Sequence, residues 1–133
     1  MTDDELIAAA LAAKARSYSP YSRFAVGAAV VAGGRIYDGA NVENASYGLA
    51  LCAERVAVAK AAMDGARAID AVAVATDASP PASPCGMCRQ TIAEFSPDPA
   101  RVRVILVNPA GERREFTLAE LLPHGFAAAD LRR

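Results

Sequence analysis

Three cysteines, Cys52, Cys85 and Cys88, carry the strongest chemical signal in the chain. Cys85 and Cys88 stand three positions apart at the start of one expected helix. That spacing turns both sulfurs to one side, where they can reach one ion. Cys52 stands at the start of another expected helix. The free N–H groups at a helix N-terminus stabilise a thiolate, so lowered thiol pKa values are expected. Three thiolates form a soft, tetrahedral site with one position open, and Zn2+ fits it best. Three protein ligands are the pattern of a catalytic zinc, because a structural site is closed by four. The open position suits water, whose pKa such a metal lowers to about 7, an effect that three negative sulfurs blunt. Glu54 follows in Cys52-Ala53-Glu54. It need not bind the metal, and it can carry a proton from that water to a substrate nitrogen. Alone, Glu54 would read as a first-turn glutamate favoured by the helix dipole. Beside three ordered cysteines the catalytic reading is preferred.

Arg55 and Arg89 directly follow the ligand segments, and they are expected to offset thiolate charge from behind the ligands. The competing reading for both is solvated surface charge. His124 is the only histidine. It could close the site as a fourth ligand, but it lies in a Pro-Gly turn far along the chain, and an exposed loop position is the preferred reading.

The elements that must position these residues are legible in outline. Thr2-x-x-Glu5 reads as a capping box opening a helix to about residue 16. A buried strand is expected from Phe24 to Ala32, a Gly33-Gly34 turn, and a returning strand to Gly39. Asn41 to Gly48 is a polar loop, and a helix is expected from about Leu51 to Met63. Ile69 to Thr76 alternates like a strand, and the proline-bearing stretch from Asp77 to Pro84 must be irregular. A helix over 86–95, a strand over 102–107, a short strand over 113–116 and a short helix over 118–122 complete the order. Helices alternating with buried strands predict a three-layer α/β/α sandwich with a mixed central sheet.

Composition narrows the function. The 133 residues predict a single domain over 1–133, and 53% hydrophobic residues exclude a disordered chain. Fourteen basic residues against fifteen acidic ones leave a net charge of −1, which argues against a nucleic-acid partner. No apolar run reaches the ~20 residues of a membrane span. The acidic start at Asp3-Asp4-Glu5 is unlike a signal peptide, so a cytoplasmic location is expected. An odd number of cysteines argues against a disulfide framework.

Zinc deaminases combine a Cys-rich zinc site with a non-ligand Glu and a P-C-x-x-C element. Here Cys52-Ala53-Glu54-Arg55, Pro84-Cys85-Gly86-Met87-Cys88-Arg89-Gln90, Phe24-Ala25-Val26-Gly27-Ala28-Ala29, Asn41-Val42-Glu43-Asn44-Ala45 and Leu121-Leu122-Pro123-His124-Gly125-Phe126 resemble the small homotetrameric cytidine deaminases of pyrimidine salvage. The resemblance runs from about Pro20 to Leu131. It implies a cytidine-deaminase-like fold and hydrolytic deamination of cytidine and 2′-deoxycytidine. It implies Asn41 and Glu43 as holders of the ribose hydroxyls, Phe24 against the nucleoside, and the Ala53 backbone on the base. It also implies Phe126 in a neighbouring subunit's site, Tyr47 at a subunit interface, and a nucleoside rather than a nucleic acid as partner. Position 40, Ala40, departs from the cysteine that relatives often carry. Three rivals remain: a deaminase of a blasticidin-type nucleoside antibiotic, a thioredoxin-like reductase using Cys85 and Cys88, and a zinc-stapled binding module using His124.

Overall fold

The computed structural model describes residues 2–132; Met1 and Arg133, the ends of the expected domain, lie outside the described residues. Helix α1 (Asp3–Lys14) starts at Thr2, whose hydroxyl accepts the Glu5 backbone N–H at 3.2 Å. Acidic residues fill its first turn and Lys14 its last, which complements the helix dipole. Strands β1 (Gly27–Ala32) and β2 (Arg35–Ala40) pair antiparallel. Their turn places Gly33 and Gly34 at φ 58° and 75°, values that a tight hairpin asks of glycine. There follow α2 (Ala53–Met63), β3 (Ala71–Ala75), α3 (Gly86–Glu94), β4 (Arg103–Val107), β5 (Arg113–Thr117) and α4 (Leu118–Leu121).

Several boundaries differ from expectation: α1 ends at Lys14 and β3 spans only Ala71–Ala75. Two others shift because backbone groups find another partner. The first strand begins at Gly27 rather than Phe24. The Phe24 carbonyl and the Val26 N–H bond to the Asn41 side chain instead of a neighbouring strand. The second helix begins at Ala53 rather than Leu51, because Leu51 exchanges both backbone hydrogen bonds with Val42.

The sheet order is β2-β1-β3-β4-β5, with β3 and β4 parallel and the other neighbours antiparallel. The mixed sheet is covered on both faces. Leu6 and Ala10 of α1 pack on Ala29, Ala71, Ala73, Ala75, Ile105 and Val107. Ala57, Val58, Ile92 and Leu118 pack on Val30, Val72, Val74, Val104 and Leu106 of the other face. Every residue of β3 is therefore buried. Its alternation separates small from larger apolar side chains, not core from solvent. Two glycines let helices approach the sheet. A Cβ at Gly27 would lie 2.0 Å from the Ala10 carbonyl oxygen, and one at Gly39 would lie 2.5 Å from that of Ala53. Among the described residues no helix is long and apolar enough to cross a membrane.

Candidate active site

The start of β1 and the ends of β2 and β3 meet at one end of the strands, where Gly27 pairs with both Ala40 and Ala75. The helices that follow β2 and β3 begin there. Cys52 is the N-cap of α2 and Cys85 the N-cap of α3, and neither side chain makes a capping hydrogen bond. Cys88, in the first turn of α3, is buried. The three sulfurs lie within 4.8 Å of one another, and the Cys85 and Cys88 sulfurs are 3.4 Å apart. Two sulfurs at ~2.3 Å from a tetrahedral zinc stand about 3.8 Å apart, so the observed spacing accepts that ion with small adjustments. Among the described residues this is the one cluster of metal-ligating side chains, and exposed His124 stands outside it.

Burial, rather than the helix dipole, dominates two of the thiols in the metal-free chain. It pushes Cys52 and Cys88 up, and the nearby Glu54 carboxylate adds to the effect. Cys85 also feels burial, but hydrogen bonds from the Cys88 backbone and thiol hold it below its usual value. The expected lowering is thus found at Cys85 alone. A divalent cation is the group that would make thiolates of all three.

Glu54 is 4% exposed, and burial raises its carboxyl above the usual range. It lines a cavity of about 330 Å³ together with Phe24, Asn41, Glu43, Ala53 and the three cysteines. That volume is of small-ligand size. Buried Val74 and Thr76, together with Ala82 and Ser83, also line it.

The remaining expected residues are placed in detail. Phe24 is 43% exposed and lines the cavity instead of filling the core. Asn41 donates from Nδ2 to the Phe24 carbonyl at 2.9 Å. Its Oδ1 accepts the Val26 N–H at 2.9 Å and the Ser17 hydroxyl. Both acceptor positions of Oδ1 are filled, while Nδ2 keeps one further hydrogen. Glu43 accepts the Tyr21 and Ser22 N–H groups at 3.0 and 3.1 Å and the Ser22 hydroxyl. Donation by Ser22 holds the Glu43 carboxyl below its usual value. Both residues therefore brace the segment that carries Phe24 while facing the cavity.

Arg55 donates to the Ala50 carbonyl at 2.8 Å and lies 2.8 Å from the Met87 sulfur. Its buried Nε has no partner. An orphaned buried donor on the residue three positions after Cys52 suits a site that gains negative sulfurs. Arg89 donates to the carbonyls of Pro84 and Leu121, each at 2.7 Å, and to the Ser83 hydroxyl at 2.8 Å. Arg89 thus fastens the segment before Cys85 to the end of α4, and these bonds go to oxygen rather than sulfur. Tyr47 is 80% exposed in the short helical turn after β2. Phe126 is outside the cavity and lines a separate groove with Pro97, Leu118 and Leu122. Sequence reasoning missed Ser17, Ser22, Thr76 and Ser83. Small hydroxyl residues carry no signal until the fold brings them to a partner.

The cytidine and deoxycytidylate deaminase zinc-binding region family matches residues 1–105. A cytidine deaminase of Halalkalibacterium halodurans is 49% identical over 127 residues, covering 95% of each chain. One of Sporosarcina psychrophila is 47% identical over 132 residues, covering 98% of this chain and 96% of the relative. The crystal structure of a cytidine deaminase from Burkholderia pseudomallei superposes with a TM-score of 0.89 at 45% identity, covering 95% of this chain and all of that one.

Proposed function

The chain belongs to the cytidine and deoxycytidylate deaminase family, and from that premise we propose that its one domain deaminates cytidine and 2′-deoxycytidine to uridine and 2′-deoxyuridine. The observation that carries this reading is the buried carboxyl of Glu54 in one nucleoside-sized cavity with three clustered sulfurs. Cys52, Cys85 and Cys88 are the residues that hold Zn2+, which supplies Lewis acidity and eases the ionisation of water at neutral pH.

Glu54 does the proton work. It takes a proton from the water that attacks C4 of the pyrimidine and delivers it to N3. A C4–O bond forms and C4 becomes tetrahedral. Glu54 then moves the remaining hydroxyl proton to the 4-amino nitrogen. The C4–N bond breaks, ammonia leaves, and C4 keeps a carbonyl while N3 keeps its proton. The raised pKa of a buried carboxyl suits a group that must hold and release a proton within one cycle.

The other residues bind and orient. The spare Nδ2 hydrogen of Asn41 donates to a sugar oxygen, and the Glu43 carboxylate accepts a sugar hydroxyl. Phe24 packs on the nucleoside, and the backbone of Ala53 contacts the base. Arg55 offsets sulfur charge, while Arg89 contributes by holding the Cys85 segment. Exposed Tyr47 and Phe126 support assembly of a homotetramer, in which Phe126 completes a neighbouring cavity. The setting is pyrimidine salvage in the cytoplasm, with no nucleic-acid or membrane partner.

The test is incubation of the zinc-loaded protein with cytidine, followed by separation of products. Uridine with one equivalent of ammonia is expected. A folded, zinc-loaded sample that makes none would overturn the reading, and turnover of a nucleoside antibiotic would replace it.

A further inference from the structure

Gln90 lies on α3, two positions after Cys88, and the reaction described above gives it no task. Its side chain is bonded at both ends to one residue far along the chain. Nε2 donates to the Phe126 carbonyl at 2.6 Å, and Oε1 accepts the Phe126 N–H at 3.1 Å. A primary amide has one donor edge and one acceptor edge, so it pairs with a peptide unit as a neighbouring strand would. The stretch from Pro123 to Phe126 belongs to no helix or strand, so no regular ladder holds its backbone. Gly125 lets the segment come close. A Cβ there would lie 2.7 Å from the Leu122 side chain and 3.7 Å from Gln90 Oε1. Meanwhile Phe126 is 57% exposed, and its ring is outside the cavity of its own chain. The clasp therefore fixes the backbone of Phe126 and leaves the ring available to another molecule.

We propose that Gln90 is a positioning residue that presents Phe126 to a neighbouring copy of the chain, so that the helix bearing Cys85 and Cys88 of one subunit also sets substrate affinity in the next. This rests on the reading that Phe126 completes a neighbour's cavity. The physical reason is pre-organisation: an unheld aromatic on an irregular segment must be ordered at each binding event, and that cost appears as weaker substrate binding. Arg89 strengthens the link, because the same turn of α3 holds the Leu121 carbonyl.

The experiment is a double-mutant cycle on the zinc-loaded assembly, with KM and kcat for cytidine, metal content and oligomeric state measured together. Gln90→Leu keeps most of the volume and removes both bonds. It is expected to raise KM roughly tenfold, with a smaller change in kcat and unchanged metal content. Gln90→Glu keeps the acceptor and loses the donor, so its KM should fall between wild type and Gln90→Leu. Phe126→Ala should raise KM by itself. Adding Gln90→Leu to it should raise KM no further, because the clasp then has no ring to present. If Phe126→Ala raises KM while Gln90→Leu leaves it unchanged, or if the two effects simply add, the proposal for Gln90 is overturned. An unchanged KM in Phe126→Ala overturns the reading of Phe126 itself, and the proposal with it. Should Gln90→Leu not accumulate as folded protein, Gln90→Glu combined with Phe126→Ala completes the same cycle.

Discussion

Glu54 is a carboxyl kept from water beside three sulfurs, and its chemistry follows from that burial. Glu54→Gln keeps the shape and the hydrogen-bonding reach but cannot carry a proton. It is expected to retain zinc and the fold while losing at least ~10²-fold in kcat. Near-normal turnover, measured with metal content, would remove Glu54 from the reaction. Cys88→Ser replaces a buried soft ligand by a hard one and should abolish stoichiometric zinc binding, measured by metal analysis after dialysis. A variant that keeps a full equivalent of zinc would show that Cys88 is not a ligand. Arg55 and Arg89 look alike in sequence, each directly after a ligand segment, yet their surroundings separate them. Arg55 keeps a buried unpartnered Nε, whereas the bonds of Arg89 go to two carbonyls and a hydroxyl.

At the scale of elements, the site is a meeting of two helix starts at one end of the strands. Gly39 sets how closely the first turn of α2 can lie on β2, since an added Cβ would meet the Ala53 carbonyl and the Ala57 nitrogen at 2.5 and 2.6 Å. Both are backbone atoms that cannot swing aside. Gly39→Ala should therefore destabilise the fold by about 1–3 kcal/mol through overpacking and displace Cys52 and Glu54 with the helix. A thermal melt with the same midpoint as wild type would contradict this. Element types were legible because period and turn residues are local properties. Boundaries were less so, since Asn41 and Val42 capture the backbone groups that would have extended β1 and α2.

Across the whole molecule, α1 is tied to the far sheet edge by charge. Arg103 of β4 donates twice to Asp3, at 2.9 and 2.7 Å, and Arg113 of β5 donates to it at 2.9 Å. Hydrogen bonds from Arg103 and then Arg113 lower the Asp3 carboxyl from its ordinary 3.8 to about 2. A depressed folded-state pKa stabilises the protein fully above the unfolded value. That contribution is lost as pH falls through the folded value. The stability difference between wild type and Asp3→Asn, from denaturant unfolding, should thus be constant above about pH 5 and shrink between pH 4 and 2. A difference that stays constant down to pH 2 would remove Asp3 from the acid response. Assembly belongs to this scale too. Sedimentation of the zinc-loaded protein should report four chains, and a fully active monomer would refute a shared site.

The sequence by itself determined the ingredients of the site. Three soft ligand types at helix starts, with a carboxylate two positions after the first, are set by residue identity and helical spacing. It also determined the layered architecture, because hydrophobic period and turn residues act over a few positions. Only the tertiary structure decided which partners distant residues would find. It brought Cys52 to Cys85, buried both faces of β3, engaged Asn41 and Glu43 with the Phe24 segment, and closed Gln90 on Phe126. Such contacts depend on how helices settle on a sheet, and that is fixed by packing between segments far apart in the chain, which no local pattern encodes.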